Sequence, residues 1–302
     1  MKNDLSYDII IVGGSYAGLS AAMALGRASR KVLVIDSGNP CNKRAKHAHN
    51  FLTWDGMPPG EIRKTAKEQV KKYDSVTFLD GVASDASQIE NGFEIVTEKG
   101  ERFRTKKLLF TTGIQDLLPE IPGLSDCWGI SVLHCPYCHG YEVKGKTTAV
   151  LANEMKAYDL CMVLTQWTND ILLLSNGKPA LTEEQISKFS KHKIRVKETE
   201  IEKIEHAEGQ VKTIRFKDGS TLDVPVMYAK PGFRQQCELP KKLGCKITEA
   251  GYIEVDECKK TSVHGIYAAG DNSSQSRIIS MAVAGGSVAG MMLNGELSSE
   301  SF

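Results

Sequence analysis

The feature that most constrains this chain is a glycine turn set between a strand and a helix near its start. Residues 7–12 form a β-rich apolar run, residues 17–28 carry small and apolar side chains at helical spacing, and residues 31–36 read as the next strand. Between the first strand and the helix stands Gly13-Gly14-Ser15-Tyr16-Ala17-Gly18, a Gly-x-Gly-x-x-Gly pattern with Ser15 in the middle glycine position. The first glycine permits a tight turn, the last lets the helix pack closely, and the free N–H groups of the helix start suit a pyrophosphate. Ser15 is small enough to keep that approach open. Asp36, ending the second strand, stands where a carboxylate accepts hydrogen bonds from an adenosine ribose. A glycine turn alone occurs in many α/β proteins, but strand, turn, helix, strand and acid in this order predict a dinucleotide-binding βαβ unit.

The chain is longer than one such unit needs. Its 302 residues exceed the roughly 150 of a typical domain and predict two. With 41% hydrophobic and 25% charged residues and no low-complexity tract, disorder and fibrous folds are excluded. Lys and Arg number 38 against 37 Asp and Glu, a net charge of +1, which lacks the positive field of a phosphate-tracking nucleic-acid binder. The longest nearly uncharged stretch, residues 278–293, is rich in Gly, Ala and Ser and falls short of the roughly 18 residues of a membrane span. The first apolar run ends at once in Gly13 and Gly14, unlike a secretion signal, so the expected location is cytoplasmic. Eight cysteines in such a chain are not a disulfide framework. Only Cys135 and Cys138 form a close pair; Cys41, Cys127, Cys161, Cys237, Cys245 and Cys258 read as packed or inert thiols.

Further along, residues 108–111 read as a strand ending in Thr111-Thr112-Gly113, and the proline-bearing segment 118–123 marks a domain boundary. A second strand, helix and strand follow at 147–152, 157–167 and 171–175, and Lys230-Pro231-Gly232 marks a return crossing. Near the end, Tyr267-Ala268-Ala269-Gly270-Asp271 closes a strand in a Gly-Asp turn before a helix of small residues.

The chemistry centres on His134-Cys135-Pro136-Tyr137-Cys138-His139. A Cys-x-x-Cys brings two sulfurs within reach of a small disulfide ring, and a lowered pKa at one of them makes exchange fast near neutral pH. Cys-x-x-Cys-His is also the c-type haem attachment pattern, but such proteins mature outside the cytoplasm. Cys-Pro-Tyr-Cys is the glutaredoxin tetrapeptide, yet that fold places it after an N-terminal strand in a domain of about a hundred residues. A zinc site built on His134, Cys135, Cys138 and His139 lacks the second, distant ligand pair of most structural sites.

These motifs together resemble the thioredoxin-reductase-like branch of the flavin disulfide reductases, over nearly the whole chain. Four signatures fall in that family's order, namely the N-terminal fingerprint, the turn at 111–113, the Cys-x-x-Cys at 135–138 and the segment 267–271. The resemblance implies an α/β fold of two Rossmann-like βαβ domains with three-layer ββα character, the second inserted into the first. Residues 1–116 and 241–302 would form the FAD domain, and 117–240 the inserted, NADPH-type domain carrying the cysteines. It implies FAD along the turn Gly13, Gly14, Ser15, Tyr16, Ala17 and Gly18, with the ribose at Asp36, Thr112 and Gly113 nearby, and the ribityl chain at Asp271 after Gly270. The helix starting near Arg277 and Ile278 would aim its positive end at the flavin N1 and O2 region. Asn50 matches a loop residue beside the isoalloxazine, and Val82 an adenine contact. Cys138 would face the flavin, Cys135 would exchange with the partner, and members are usually homodimers. His139 replaces the acid common in this family, and an imidazole with an ordinary pKa near 6.5 can shuttle the proton of thiol exchange.

The family pattern fails at the second nucleotide. After the strand at 147–152 the chain runs Ala152-Asn153-Glu154-Met155-Lys156-Ala157, with no glycine between Gly145 and Gly177, and only Lys178 stands for the usual basic cluster. Bound NADPH is therefore doubtful. The expected activity is an FAD-dependent dithiol–disulfide oxidoreductase working with a thioredoxin-like protein or small dithiol. A protein electron donor, or oxygen as in related dithiol oxidases with a similar Cys-x-x-Cys-His, would complete the circuit. The alternatives are an NADPH-dependent thioredoxin reductase with a diverged loop and a flavin-binding regulator whose cysteines sense redox state. His47 and His49 lie on a loop that could assist proton transfer, though such histidines are more often solvated.

Overall fold

The computed structural model describes residues 6–302, which divide into two compact units. The first holds the chain up to Lys43, Asn50–Gln115 and Phe233–Phe302, and the second Arg44–His49 and Asp116–Gly232.

The first unit opens with β1 (Ser6–Val12), α1 (Tyr16–Arg27) and β2 (Val32–Asp36), the unit its sequence predicts. It continues through α2 (Pro59–Val70), β3 (Val76–Asp80), β4 (Ala83–Ile89), β5 (Gly92–Thr97), β6 (Arg102–Phe110) and β7 (Ile114–Leu117). Strands β3, β2, β1 and β6 lie side by side in parallel register, and β5 and β4 extend the sheet antiparallel from the first half of β6. Successive residues of β1 serve opposite cores. Ile9 and Ile11 pack with Leu19, Ala22 and Leu25 of α1, while Ile10 and Val12 pack with Phe93, Ile95 and Phe103 of the meander. A parallel sheet covered on both faces explains the unbroken apolar run.

The second unit repeats the scheme. It contains α3 (Leu124–Cys127), β8 (Val132–Leu133), α4 (Pro136–His139), β9 (Thr148–Leu151), α5 (Glu154–Leu164), β10 (Ile171–Leu174), α6 (Glu183–Lys191) and β11 (Arg195–Lys197). After these come β12 (Ile201–Ala207), β13 (Gln210–Phe216), β14 (Thr221–Asp223) and β15 (Val226–Ala229). The parallel order is β11-β10-β9-β15-β8, beside an antiparallel meander β12-β13-β14. Both units are thus Rossmann-like, as the sequence predicts. Helix α5 runs three residues ahead of its expected span because the Asn153 side chain accepts from Glu154 N and starts it early.

The chain returns through β16 (Gly232–Gln235), α7 (Leu239–Lys242), β17 (Ile266–Ala268) and α8 (Ile279–Ser301). The return begins at Phe233, ahead of the boundary expected at 240, because β16 pairs with β7 and Leu239 of α7 enters the first core. β17 joins the end of β6 in parallel. The small residues of α8 have a packing role. Gly286 and Gly290 lie against Ala17 and Ala21 of α1, and Ser20 Oγ donates to Val283 O at 2.7 Å. Among the described residues no helix is long and apolar enough to cross a membrane.

Candidate active site

In the first unit the fingerprint turn sits at the C-terminal ends of β1, β2, β6 and β17. Gly13, at φ +107°, donates to Ile35 O at 2.8 Å, and Thr111 Oγ1 donates to its carbonyl at 2.6 Å. A Cβ on Gly18 would drive into that same carbonyl oxygen, so both glycines are required by the turn itself. Ser15 occupies the N-cap of α1 without a side-chain hydrogen bond, and no acid stands in the first turn, which leaves the helix dipole open to an anion. Tyr16, the first residue of α1, donates its hydroxyl to Pro59 O at 3.1 Å. Burial raises its phenol above the ordinary value.

Asp36 closes the cradle. Its Oδ1 accepts from Gly14 N at 3.1 Å, and its Oδ2 pairs with Arg63 Nη1 at 3.1 Å. Arg63, on α2, is a site residue that sequence reasoning missed, because its distance along the chain hides its place beside Asp36. Asn272, wholly buried, donates to Phe110 O at 2.8 Å and to Thr112 Oγ1 at 3.5 Å, while its Oδ1 has no partner among the described residues. It too was missed, masked by the Gly270-Asp271 signature it follows. Gly270 lies against Ala17, and Asp271 Oδ2 stands 3.8 Å from both Arg277 Nε and Cys41 Sγ. Ile278 is the N-cap of α8. The structure thus joins the fingerprint, Asp36, Thr112, Gly270, Asp271 and Arg277 into one constellation beside the open Gly113. Asn50, in the left-handed region at φ +60°, donates its N–H to Asp55, and the exposed Val82 accepts from Glu98 N; neither shares in these contacts.

In the second unit β8 delivers the cysteine motif. Cys135 is the N-cap of α4, Pro136 starts the helix, and Gly140 N closes it on Pro136 O at 2.6 Å. Trp167 holds this turn in place. Gly140 packs against its ring, and Tyr137 meets it edge-on at 5.5 Å between centroids. A hydrogen bond from the Cys138 thiol lowers Cys135 to about 7 against the opposing pull of burial, helped by the N–H groups of Cys138 and Tyr137 and by Lys230. Burial and the neighbouring His49 hold His139 below the ordinary imidazole value, so near neutral pH it is an uncharged proton acceptor. His49 Nε2 stands 3.5 Å from Glu142 Oε1, with its ring 6.5 Å from that of His139 and 6.3 Å from that of His47. His49 therefore stands with His139 and Glu142, the last residue of the cysteine segment, to which the sequence assigned no role.

The turn between β9 and α5 is closed by its own side chain. Asn153 Oδ1 accepts from Glu154 N and Ala180 N, each at 2.8 Å, and its Nδ2 donates to Ser175 O at 3.3 Å and Lys178 O at 3.2 Å. Glu154 adopts a left-handed φ of +57° and puts a carboxylate in the first turn.

The family model for pyridine nucleotide-disulphide oxidoreductases matches residues 7–287. The chain belongs to that family. It is similar to the thioredoxin reductase tcpT of Claviceps purpurea, 33% identical with 96% of this chain and 94% of that protein covered. It is also similar to the thioredoxin reductase aclD of Aspergillus oryzae, 29% identical over 94% of each. Among solved structures, an oxidoreductase from Agrobacterium tumefaciens superposes with a TM-score of 0.91 at 33% identity, covering 97% of this chain and 99% of that one. HlmI superposes at 0.93 with 29% identity, covering 100% and 95%. This pyridine nucleotide-disulphide oxidoreductase is thus a thioredoxin-reductase-like flavoenzyme acting on a disulfide. The family implies a flavin, and the first unit fits one, with an uncapped helix start, a ribose-type carboxylate and an unpartnered buried amide oxygen.

Proposed function

We propose that this protein is an FAD-dependent dithiol–disulfide oxidoreductase that works without a nicotinamide nucleotide and exchanges electrons with a thioredoxin-like protein or a small dithiol. The observation that carries this reading is the closed turn after β9. A pyrophosphate needs free amides and room for its oxygens, whereas Glu154 N and Ala180 N are spent on Asn153 and the Glu154 carboxylate stands beside them. The residues of this turn do not fit NADPH.

On this reading the first unit holds FAD and the second carries the redox pair. FAD supplies a two-electron acceptor and donor that thiols lack. Gly13, Ser15 and the first turn of α1 bind its pyrophosphate, Asp36 its ribose, and Asp271 its ribityl chain. At the pair, the Cys135 thiolate attacks a partner disulfide, forming a bond to one partner sulfur as the partner's own S–S bond breaks. The released thiolate takes a proton, and Cys138 then attacks Cys135, gives up its own proton to His139, and expels the second partner sulfur. The partner gains two electrons and the pair loses two as its disulfide closes. Run in reverse, the same exchange oxidises a dithiol.

A second reading, an NADPH-dependent thioredoxin reductase with a diverged loop, draws on the relatives that carry the name thioredoxin reductase. Calorimetric titration of the flavoprotein with NADPH separates the two. We expect no saturable binding up to millimolar nucleotide; saturation at micromolar NADPH would establish the second reading.

A further inference from the structure

Asp36 ends β2 beside the fingerprint turn, and its side chain is only 12% exposed. A carboxylate so far withdrawn from water needs partners for its charge. Gly14 N donates to Oδ1 at 3.1 Å, and Arg63 Nη1 donates to Oδ2 at 3.1 Å. A Cβ on Gly14 would meet Asp36 Cβ at 2.7 Å, so the side chain is packed onto the turn itself. Each carboxylate oxygen accepts along two lone pairs, and these contacts use one on each. Two acceptors are left side by side on one held group. The arginine comes from α2, which the fingerprint helps to place. The Tyr16 hydroxyl donates to Pro59 O at 3.1 Å, anchoring the first residue of α2, and Arg63 follows one turn later. After a further turn Lys67 pairs at 3.4 Å with Asp80, the residue of β3 in register with Asp36. The two pairs differ in setting. The Asp80 side chain is 90% exposed, where an ion pair contributes little, whereas Asp36 and Arg63 are mostly shielded from water.

We propose that Arg63 is a positioning residue of the adenosine site, fixing the Asp36 carboxylate so that its two remaining acceptors take the vicinal hydroxyls of the FAD ribose. The inference rests on the reading of Asp36 as the ribose carboxylate. The terminal torsion of an aspartate is soft, and the single bond from Gly14 N would let the second oxygen swing. The guanidinium anchors that oxygen and stops the rotation. It also offsets the charge that Asp36 would otherwise set beside a pyrophosphate bound on the same turn. A lysine would keep the charge but lose the planar fork that holds the carboxylate in one orientation.

The test is the rate of FAD release from the loaded, full-length protein on dilution, read by the rise in flavin fluorescence. It compares the wild type, Arg63→Ala, Asp36→Ala and the double variant. We expect Arg63→Ala to release FAD about tenfold faster than the wild type, as the loss of a charged hydrogen bond implies. Asp36→Ala should also release it faster, and the double variant no faster than Asp36→Ala alone, because Arg63 acts through the carboxylate. Arg63→Lys should fall between the wild type and Arg63→Ala. If an alanine variant does not fold, Arg63→Gln or Asp36→Asn takes its place in the cycle. An unchanged rate in Arg63→Ala would overturn the proposal. The same fold-increase from Arg63→Ala with and without Asp36 would overturn it too, because Arg63 would then serve the fold or FAD independently of the carboxylate. Failure of the underlying reading looks different. Wild-type FAD release from Asp36→Ala would remove the ribose role of Asp36 whatever Arg63 does.

Discussion

Asn153 Oδ1 accepts a 2.8 Å hydrogen bond from Ala180 N, which ties the turn after β9 to the loop after β10. The same amide caps α5 and donates to two further carbonyls, so one side chain holds two loops that would otherwise stand apart. Replacing Asn153 with Ala removes the cap and the tie together and should cost about 1–2 kcal/mol. Hydrogen exchange at residues 175–180 should accelerate in the variant while the strands keep their protection. Unchanged exchange there would mean that the loops are held by other contacts.

The two cysteines have unequal parts. Cys138→Ser should abolish turnover with a dithiol or disulfide partner yet leave Cys135 able to form a mixed disulfide that cannot resolve. Mass spectrometry of that variant after incubation with an oxidised partner should show the adduct on Cys135. Cys135→Ser should show no stable adduct on Cys138.

Thiol exchange should carry a pH signature. Cys135 is lowered to about 7, so its thiolate fraction and the exchange rate should rise as pH increases through that value and level off above it. His139, held below the ordinary imidazole value by burial and by His49, stays neutral over the same range and can accept the proton. His139→Gln should lower turnover about a hundredfold while binding of the partner persists. A loss confined to KM would contradict this role.

Lys107 is buried beneath α8 and pairs with Glu296 at 2.7 Å. Burial pushes the Glu296 carboxyl up, but hydrogen bonds from Lys107, Lys260 and Tyr267 outweigh it and bring the group from 4.5 to about 2. A depressed carboxylate stabilises the fold fully above its unfolded pKa and loses that contribution as pH falls from about 4.5 through about 2. Glu296→Gln should therefore cost about 1–2 kcal/mol at pH 7, allowing for solvent screening. The gap between variant and wild type should close as the pH drops below 4.5, which thermal melts across that range would show.

Much of the architecture was legible in the sequence, because the physics that forms it is local. Gly13 and Gly18 sit where a turn forbids a Cβ, the run at residues 7–12 is apolar because both faces of its sheet are covered, and Cys135 and Cys138 occupy one helical turn. What was not legible depends on distant chain segments meeting. Arg63 reaches Asp36 from α2, and His49 reaches Glu142 and His139 from a short stretch between parts of the first unit. Nothing in the local sequence marks Arg63, and the loop of His47 and His49 suggested proton transfer without showing that His49 meets Glu142 and His139. The absence of glycine after β9 was visible, but the hydrogen bonds that make Asn153 a closure were not.

The central claim is that this flavoenzyme exchanges electrons with dithiols through Cys135 and Cys138 and does not draw them from a nicotinamide. An anaerobic titration of the FAD-loaded protein, following flavin absorbance as NADPH, then NADH, then a small dithiol is added, tests this most directly. The account predicts that the nucleotides leave the oxidised flavin spectrum unchanged, and that the dithiol bleaches it in the wild type but not in Cys138→Ser. Rapid bleaching by NADPH would contradict it.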